Sequence, residues 1–340
     1  MTAPIDALIR EGKAKRLFQG AQREEVRVQF KNSATAFNGE KFAEFPGKGA
    51  LNATISAMLF EFLEANGLPT CFLGRTNADD ALIYRSLTMI PLEVVVRNRA
   101  YGSVRKRFDL QEGVVFSAPQ VEFFLKDDAL GDPQISEAMI VERGLLPSGV
   151  TIDLLRRRAL QANELFIAYF AARDIVCADF KLEFGVDASG ALRVGDELSP
   201  DNFRLRDAQT ARVLDKDVFR QDLADLVETY QALLARLQSI PNPTNFPLRR
   251  YDVEVFISSR QNILNPESRA VLNSLRAHGH AEVSALRAGK RFELTLEAPT
   301  MIAAERHAAA IAAEVLSNPV IEDADFRIAP APALVGERLS

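Results

Sequence analysis

The sequence predicts an α+β protein built in two parts. Three observations carry that reading. Hairpin-like segments and long amphipathic helices interleave over the first 240 residues, without the regular βαβα alternation of a doubly wound sheet. The stretch "SIPNPTNFPLRR" (239–250) is rich in proline, poor in apolar side chains and follows a helical run, so a boundary falls near residue 245. Beyond it the order strand, helix, strand, strand, helix, strand is the split-βαβ sandwich pattern.

In order along the chain, "EGKAKRLFQGAQREEVRVQFKN" reads as a hairpin, with Gly12 and Gly20 bracketing extended residues and "EEVRVQF" alternating. "GKGALNATISAMLFEFLEANGL" is a helix of about five turns that ends with Gly67 just past its last turn. "MIPLEVVVRNRAYGS" is a strand running into a glycine turn. "TIDLLRRRALQANELFIAYFAARDI" is a second long helix, feeding the strand "VCADFKLEFGV"; "DASG" turns the chain and "ALRVGDELSP" returns. "DVFRQDLADLVETYQALLARLQ" is helical, with apolar residues recurring at three and four.

After the linker, "YDVEVFISSR" is a strand. "NPESRAVLNSLRAHG" is a helix with Asn265 as N-cap, Pro266 in its first position and Gly279 after its end. "AEVSALRAGKRFELTLEA" gives two strands around a turn at Ala288 and Gly289. "TMIAAERHAAAIAAEVLSN" is an alanine-rich helix and "VIEDADFRI" the last strand.

Composition narrows the chemistry. The 340 residues suffice for two or three compact units, and 47% hydrophobic with 26% charged residues is ordinary for a soluble protein with a core. A formal net charge of −5 argues against a general polyanion-binding surface. No apolar run approaches a membrane span and "MTAPIDALIREGKAK" is no signal peptide, so a cytoplasmic location is expected. Cys71 and Cys177, far apart, read as reduced core thiols. The three histidines, His278, His280 and His307, all lie late in the chain. The first 250 residues therefore run without a Ser-His-Asp triad, a Cys-His pair or a histidine-bound zinc. Phosphoryl transfer, which works with lysines, arginines, carboxylates and magnesium, is the large class left open.

Four polar groupings could serve it. In "ADFKLEFG" (178–185), Asp179, Lys181 and Glu183 alternate with Phe180, Leu182 and Phe184, giving a strand with one apolar and one charged face. Asp196 and Glu197 follow on the return strand, so that Glu183 and Asp196 could face each other and hold magnesium with phosphate oxygens. Lys181, between carboxylates, would stay charged. A solvated, ion-paired strand face is the plainer alternative, but adjacent acids followed by a Pro-Asp turn and an arginine favour a site. Lys13 and Lys15, on one strand face beside Gly12, suit a triphosphate; alone they read as two solvated lysines. Arg97, Arg99 and Ser103, where a strand breaks into a turn, suit a phosphate monoester or are an ordinary strand end. "FLKDDALGDP", with Lys126 and Asp132, reads by itself as a turn. "PGKGALN" lacks the first glycine of a Walker A loop, and G-x-G-x-x-G is absent.

Taken together, "EGKAKRLF", "FKNSATAFNGEK", "GKGALN", "IPLEVVVRNRAYGS", "LKDDALGDP", "DFKLEFG" and "GDELSPDNFRL" resemble the SAICAR synthetase family, phosphoribosylaminoimidazole-succinocarboxamide synthase of purine biosynthesis. The resemblance spans nearly all of residues 8–240. It implies a two-lobed ATP-binding fold over 1–240, with a nucleotide lobe over about 1–90 and a substrate lobe over about 91–240. It also implies ATP- and Mg2+-dependent joining of carboxyaminoimidazole ribotide to L-aspartate. By the same resemblance, Gly12, Lys13, Lys15, Lys126 and Glu183 would bind nucleotide, and Glu183 and Asp196 magnesium. Arg97, Ser103 and Arg204 would hold the ribotide phosphate. Asp132, Asp179 and Lys181, with Lys126, would line the cleft where the substrates meet, Asp179 or Asp132 orienting the aspartate amine or taking its proton. One departure is visible: Arg206 in "RLRD" stands where the family usually carries tryptophan.

The tail resembles PurS, the small accessory subunit of formylglycinamidine ribonucleotide synthetase, through "YDVEVFISSRQNILNPESRAVLNSLRAHG", "VSALRAGKRFELTLEA" and "NPVIEDADFRI". That implies a non-catalytic domain over 250–328 behind a linker at 241–249, with a flexible tail at 329–340. Oligomerisation through its sheet and bridging of synthetase and glutaminase subunits are implied as well. Two other readings stay open: a small-molecule kinase in the large part, and an effector-binding regulatory module in the tail.

Overall fold

A computed structural model describes residues 6–36, 41–260, 263 and 265–331. The chain divides into two compact units, residues 1–244 and 245–340, with the division inside the proline-rich stretch.

The first unit opens with strands β1 (Leu8–Glu11), β2 (Lys15–Gln19), β3 (Glu25–Phe30), β4 (Ser33–Ala36) and β5 (Lys41–Glu44). Helix α1 (Lys48–Ala65) and strands β6 (Phe72–Arg75) and β7 (Ala81–Arg85) follow. These build an antiparallel sheet in the order β1-β2-β3-β7-β6, with β4 and β5 paired separately. α1 packs on this sheet and against a later helix, which is why it is apolar nearly all round: Ile55, Leu59, Phe60, Phe62 and Leu63 are all buried. Gly67, at φ 84°, lets the chain reverse there. Its N–H reaches Glu64 O at 2.9 Å and that of Leu68 reaches Leu63 O at 3.0 Å, closing α1 with a Schellman motif.

The larger sheet comes next. In order the elements are β8 (Thr88–Arg99), α2 (Ser103–Arg107), β9 (Val115–Leu125), α3 (Glu137–Glu142), α4 (Ile152–Ala171), β10 (Ile175–Val186), β11 (Leu192–Gly195), β12 (Phe203–Asp207), α5 (Asp217–Arg220) and α6 (Leu226–Gln238). The sheet runs β11-β10-β8-β9, and β12 adds to the β11 side of β10. Thr151 caps α4 by accepting the Leu154 N–H at 3.1 Å. The apolar stripe Leu155, Ala159, Ala162, Phe166 and Tyr169, at three- and four-residue spacing, lies buried over β10 and β8. Phe166 meets Phe180 and Phe203 edge-on, each with centroids 5.1 Å apart.

The stretch 217–238 is two helices rather than one. Asp222 takes a left-handed backbone (φ 53°), and Asp225 caps α6 by accepting the Glu228 N–H at 2.8 Å. The proline-rich stretch begins docked on its own unit. Arg173 is buried and donates to Leu237 O at 3.0 Å, Ile240 O at 3.1 Å and Asn242 Oδ1 at 3.1 Å.

The second unit holds β13 (Arg249–Ser259), α7 (Pro266–Ala277), β14 (Gly289–Ala298), α8 (Met301–Ile311), a π-type turn over 312–316 and β15 (Glu322–Pro330). β13 is central in the order β14-β13-β15, and Val253, Val255 and Ile257 pack under Ala308 and Ala312. Asn265 caps α7 through the Ser268 N–H at 3.1 Å, and Gly279 at φ 95° follows its end.

Two expectations are corrected here. Residues 281–288 form no strand: the segment is tied instead toward the α7 side by Ala288 N–H to Ser268 Oγ at 2.8 Å and by Arg287 to Ser259 O at 2.6 Å. The chain at 329–330 belongs to β15, Ala329 opposite Asp252 and Pro330 opposite Tyr251; the rest of the expected tail, 332–340, lies outside the described residues, as do 37–40 of "FKNSATAFNGEK".

Candidate active site

β10 is the spine of the site, because it carries a neighbour on each edge. Asp179 stands opposite Arg97 of β8 and Arg204 of β12; Lys181 stands opposite Val95; Glu183 stands opposite Glu93 of β8 and Gly195 of β11. The two-residue period puts Asp179, Lys181 and Glu183 on one face, with Asp179 and Glu183 about 13 Å apart along the strand. Phe180, Leu182 and Phe184 turn the other way and are 1% exposed. The charged face is not wet either: Asp179 is 3% and Glu183 2% exposed. A cluster forms at each end of it.

At the Glu183 end, Lys126 pairs with Glu183 Oε2, and Lys181 Nζ lies 3.6 Å from Glu183 Oε1 and 2.5 Å from Glu93 Oε1. From the smaller sheet, Lys15 Nζ lies 2.5 Å from Asp196 Oδ1 and 3.5 Å from Glu197 Oε1. β11 stops at Gly195, so Asp196 is not on the return strand. It leaves it in a left-handed conformation (φ 61°), which turns its carboxylate toward Lys15. The two carboxylates are driven apart in acidity. Burial and then the Asp196 charge push Glu183 up; burial works on Asp196 too, but Lys15, Lys126 and Lys181 outweigh it and hold Asp196 well below the usual range. Burial likewise opposes the charges of Lys15 and Lys181, and the carboxylates around them prevail, raising both. Lys13 is not on the strand with Lys15. Gly12 N–H bonds Lys15 O at 2.8 Å, closing a turn whose tip carries Lys13 out to Asp128 at 2.8 Å.

At the Asp179 end, Arg97 donates to Asp179 Oδ2 at 3.0 Å, Glu122 Oε2 at 2.6 Å and Ser103 Oγ at 3.1 Å. Arg204 NH1 reaches both oxygens of Asp179, at 3.0 and 2.9 Å, and its Nε reaches Asp217 Oδ2 at 3.2 Å. Gly102 sits against Arg204 at φ 61°; a β-carbon there would lie 2.6 Å from Arg204 NH2. Arg99 ends β8 opposite Val115. Asp132 is turned to its own loop, its Oδ1 accepting the Asp127 N–H at 2.9 Å.

Sequence reasoning passed over Glu93, Glu122, Asp128, Asp215, Asp217 and Arg220. Glu93 and Arg97 sit four residues apart on β8, so their shared face was legible; their pairing with Glu183 and Asp179 is a matter of register between distant strands. Asp215 and Asp217, two apart, were a visible acidic pair. Arg220 reaches Asp217 Oδ1 at 2.6 Å.

Three ammonium groups around two unlike carboxylates suit a polyphosphate with a hard cation. Among the described residues no group of three or more His, Cys, Asp or Glu could hold a metal by itself. Glu197 Oε2 is buried without a hydrogen-bond partner. An all-oxygen donor set of two carboxylates fits magnesium, which takes its remaining ligands from phosphate and water.

Known proteins identify the family. Residues 8–237 match the family model SAICAR synthetase, and residues 252–330 match PurS, described as phosphoribosylformylglycinamidine (FGAM) synthase. The phosphoribosylaminoimidazole-succinocarboxamide synthase of Exiguobacterium sibiricum is 46% identical over 229 residues, covering 67% of this chain and 96% of that protein. A solved SAICAR synthetase in complex with ADP is 42% identical with a TM-score of 0.64, covering 69% of this chain and 98% of the other. The phosphoribosylaminoimidazole-succinocarboxamide synthase from Ehrlichia chaffeensis is 38% identical with a TM-score of 0.65, covering 69% and 100%. The chain belongs to the SAICAR synthetase family and carries a PurS domain behind its ligase unit.

Proposed function

We propose that the first unit joins carboxyaminoimidazole ribotide to L-aspartate with ATP, through an acyl phosphate. One observation supports this above the others: a single buried strand face carries a lysine–carboxylate cluster at one end and an arginine cluster at the other, about 13 Å apart. Two anionic substrates can thereby be held in line on one surface, which is most of what phosphoryl transfer needs.

Gly12, Lys13, Lys15 and Lys126 take the triphosphate, with Glu183. Arg97, Ser103 and Arg204 take the ribotide phosphate. Lys181, between the clusters, stabilises charge on the transferring group. The ribotide carboxylate attacks the γ-phosphorus and ADP leaves; the aspartate amine then attacks the acyl carbon and phosphate leaves. Asp179 or Asp132 orients the amine or takes its proton. Glu183 and Asp196 would hold magnesium, which neutralises phosphate charge when bound. The chemistry belongs in the cytoplasm, and no helix among the described residues is long and apolar enough to cross a membrane. The PurS domain assembles copies of the chain and bridges synthetase and glutaminase subunits of formylglycinamidine ribonucleotide synthetase.

ADP release should require both ribotide and aspartate; turnover without aspartate would overturn the ligase reading. Glu183→Gln combined with Asp196→Asn should lower magnesium-dependent kcat on the order of a thousandfold. Unchanged turnover would remove the metal assignment.

A further inference from the structure

Arg206 sits beside the arginine cluster, sharing Asp217 with Arg204. It is 5% exposed, and both terminal nitrogens of its guanidinium are hydrogen-bonded. NH1 donates to Asp215 Oδ2 at 2.5 Å and Leu205 O at 2.9 Å, and NH2 donates to Asp217 Oδ2 at 3.0 Å. That same Asp217 oxygen accepts Arg204 Nε at 3.2 Å. The Arg206 guanidinium also lies over the Tyr101 ring, 4.7 Å from its centre. Tyr101 leads directly into Gly102 and Ser103, and Gly102 is the residue against which Arg204 NH2 is packed. Arg206 therefore reaches both walls of the proposed phosphate pocket: Arg204 through a shared carboxylate, and the Tyr101–Ser103 turn through its ring.

We propose that Arg206 is a positioning residue, which fixes Arg204 against the Tyr101–Ser103 turn and thereby sets the affinity for the phosphate of the ribotide. The proposal rests on the reading of Arg97, Ser103 and Arg204 as the phosphate pocket. Its physical basis is the sharing of Asp217. Arg204 has a second acceptor in Asp179, and a guanidinium between two carboxylates can settle toward either. Arg206 NH2 donates to the same Oδ2 of Asp217 that Arg204 Nε meets, while Arg220 holds Oδ1 at 2.6 Å, so Arg206 fixes the oxygen that Arg204 uses. A side chain that only filled space beside Tyr101 would make the ring contact without the link through Asp217. It would affect stability and leave substrate discrimination alone.

The discriminating substrate is the unphosphorylated ribonucleoside of the ribotide. In the full-length chain, Arg206→Gln should lower kcat/KM for the ribotide about tenfold, chiefly through KM, and for the ribonucleoside less than about twofold. KM for ATP and aspartate should stay within about twofold. Arg206→Lys keeps the charge but cannot reach two carboxylates in one plane, so its loss should be intermediate and again confined to the phosphorylated substrate. Equal losses on ribotide and ribonucleoside, a fall in kcat with KM unchanged, or no loss in either variant would overturn the proposal. Should Arg206→Gln fail to fold, Arg206→Lys decides by the same comparison. Absence of succinocarboxamide product from the wild-type chain would instead mark failure of the ligase reading itself.

Discussion

A charged residue on a strand says little by itself, and Asp179, Lys181 and Glu183 show why. Alternation in "ADFKLEFG" established that the three share a face. Whether that face meets solvent was decided by β8 and β12, which bring Arg97, Glu93 and Arg204 against it. The same local crowding produces a titration that can be measured. Asp215 is 0% exposed and lies near Asp217; burial first and Asp217 second raise it from 3.8 to about 6, against the pull of Arg206. A carboxyl that ionises later folded than unfolded favours folding at low pH. Its contribution is therefore full below about 3.8 and is lost as pH rises through about 6. Asp215→Asn cannot titrate. In denaturant titrations the stability of the wild type, relative to that variant, should fall between pH 4 and pH 7. Asp217, whose acidity moves the opposite way, is present in both proteins, so its effect largely cancels in the difference. Parallel pH profiles would refute the account.

At the scale of elements, strong periodicity was the reliable guide. α1 closes at Gly67, α4 starts at Thr151 and α7 at Asn265, each with the capping chemistry its sequence carries. α4 matters because it clamps β10 from the apolar side, and Phe166 is the centre of that contact, with Phe180 and Phe203 around it. Phe166→Ala should cost about 3–5 kcal/mol of stability, the range for truncating a fully buried aromatic. Chemical denaturation measures it, and a loss under about 1 kcal/mol would show that the core there collapses to fill the gap. Two elements were misread for different reasons. The break between α5 and α6 was legible, since Asp225 and Glu228 form an N-cap pattern within the run. The missing strand at 281–288 was not, because side-chain and backbone ties to Ser259 and Ser268, distant in sequence, hold the segment instead.

For the whole molecule, the division between the two compact units falls inside the proline-rich stretch. The docking of Leu237, Ile240 and Asn242 onto Arg173 shows that the large unit finishes its own packing before the division. Similar SAICAR synthetases are matched over 96% or more of their length by about two thirds of this chain. A protein ending at residue 244 should therefore keep ribotide- and aspartate-dependent ADP release within about threefold of the full chain. A loss of tenfold or more would mean that the ligase depends on the PurS domain.

The sequence by itself determined the two-part α+β plan, the caps, the faces of β10 and the residue types that phosphoryl transfer needs, because these follow from local periodicity and side-chain chemistry. Only the tertiary structure decided that Asp196 leaves its strand to meet Lys15, that Lys13 sits at a turn tip, and that Arg206 shares Asp217 with Arg204. Those outcomes depend on how backbone turns and neighbouring segments meet, from the three-residue closure at Lys13 to the contact of Lys15 with Asp196, 181 positions away, where burial and charge balance are settled together rather than residue by residue.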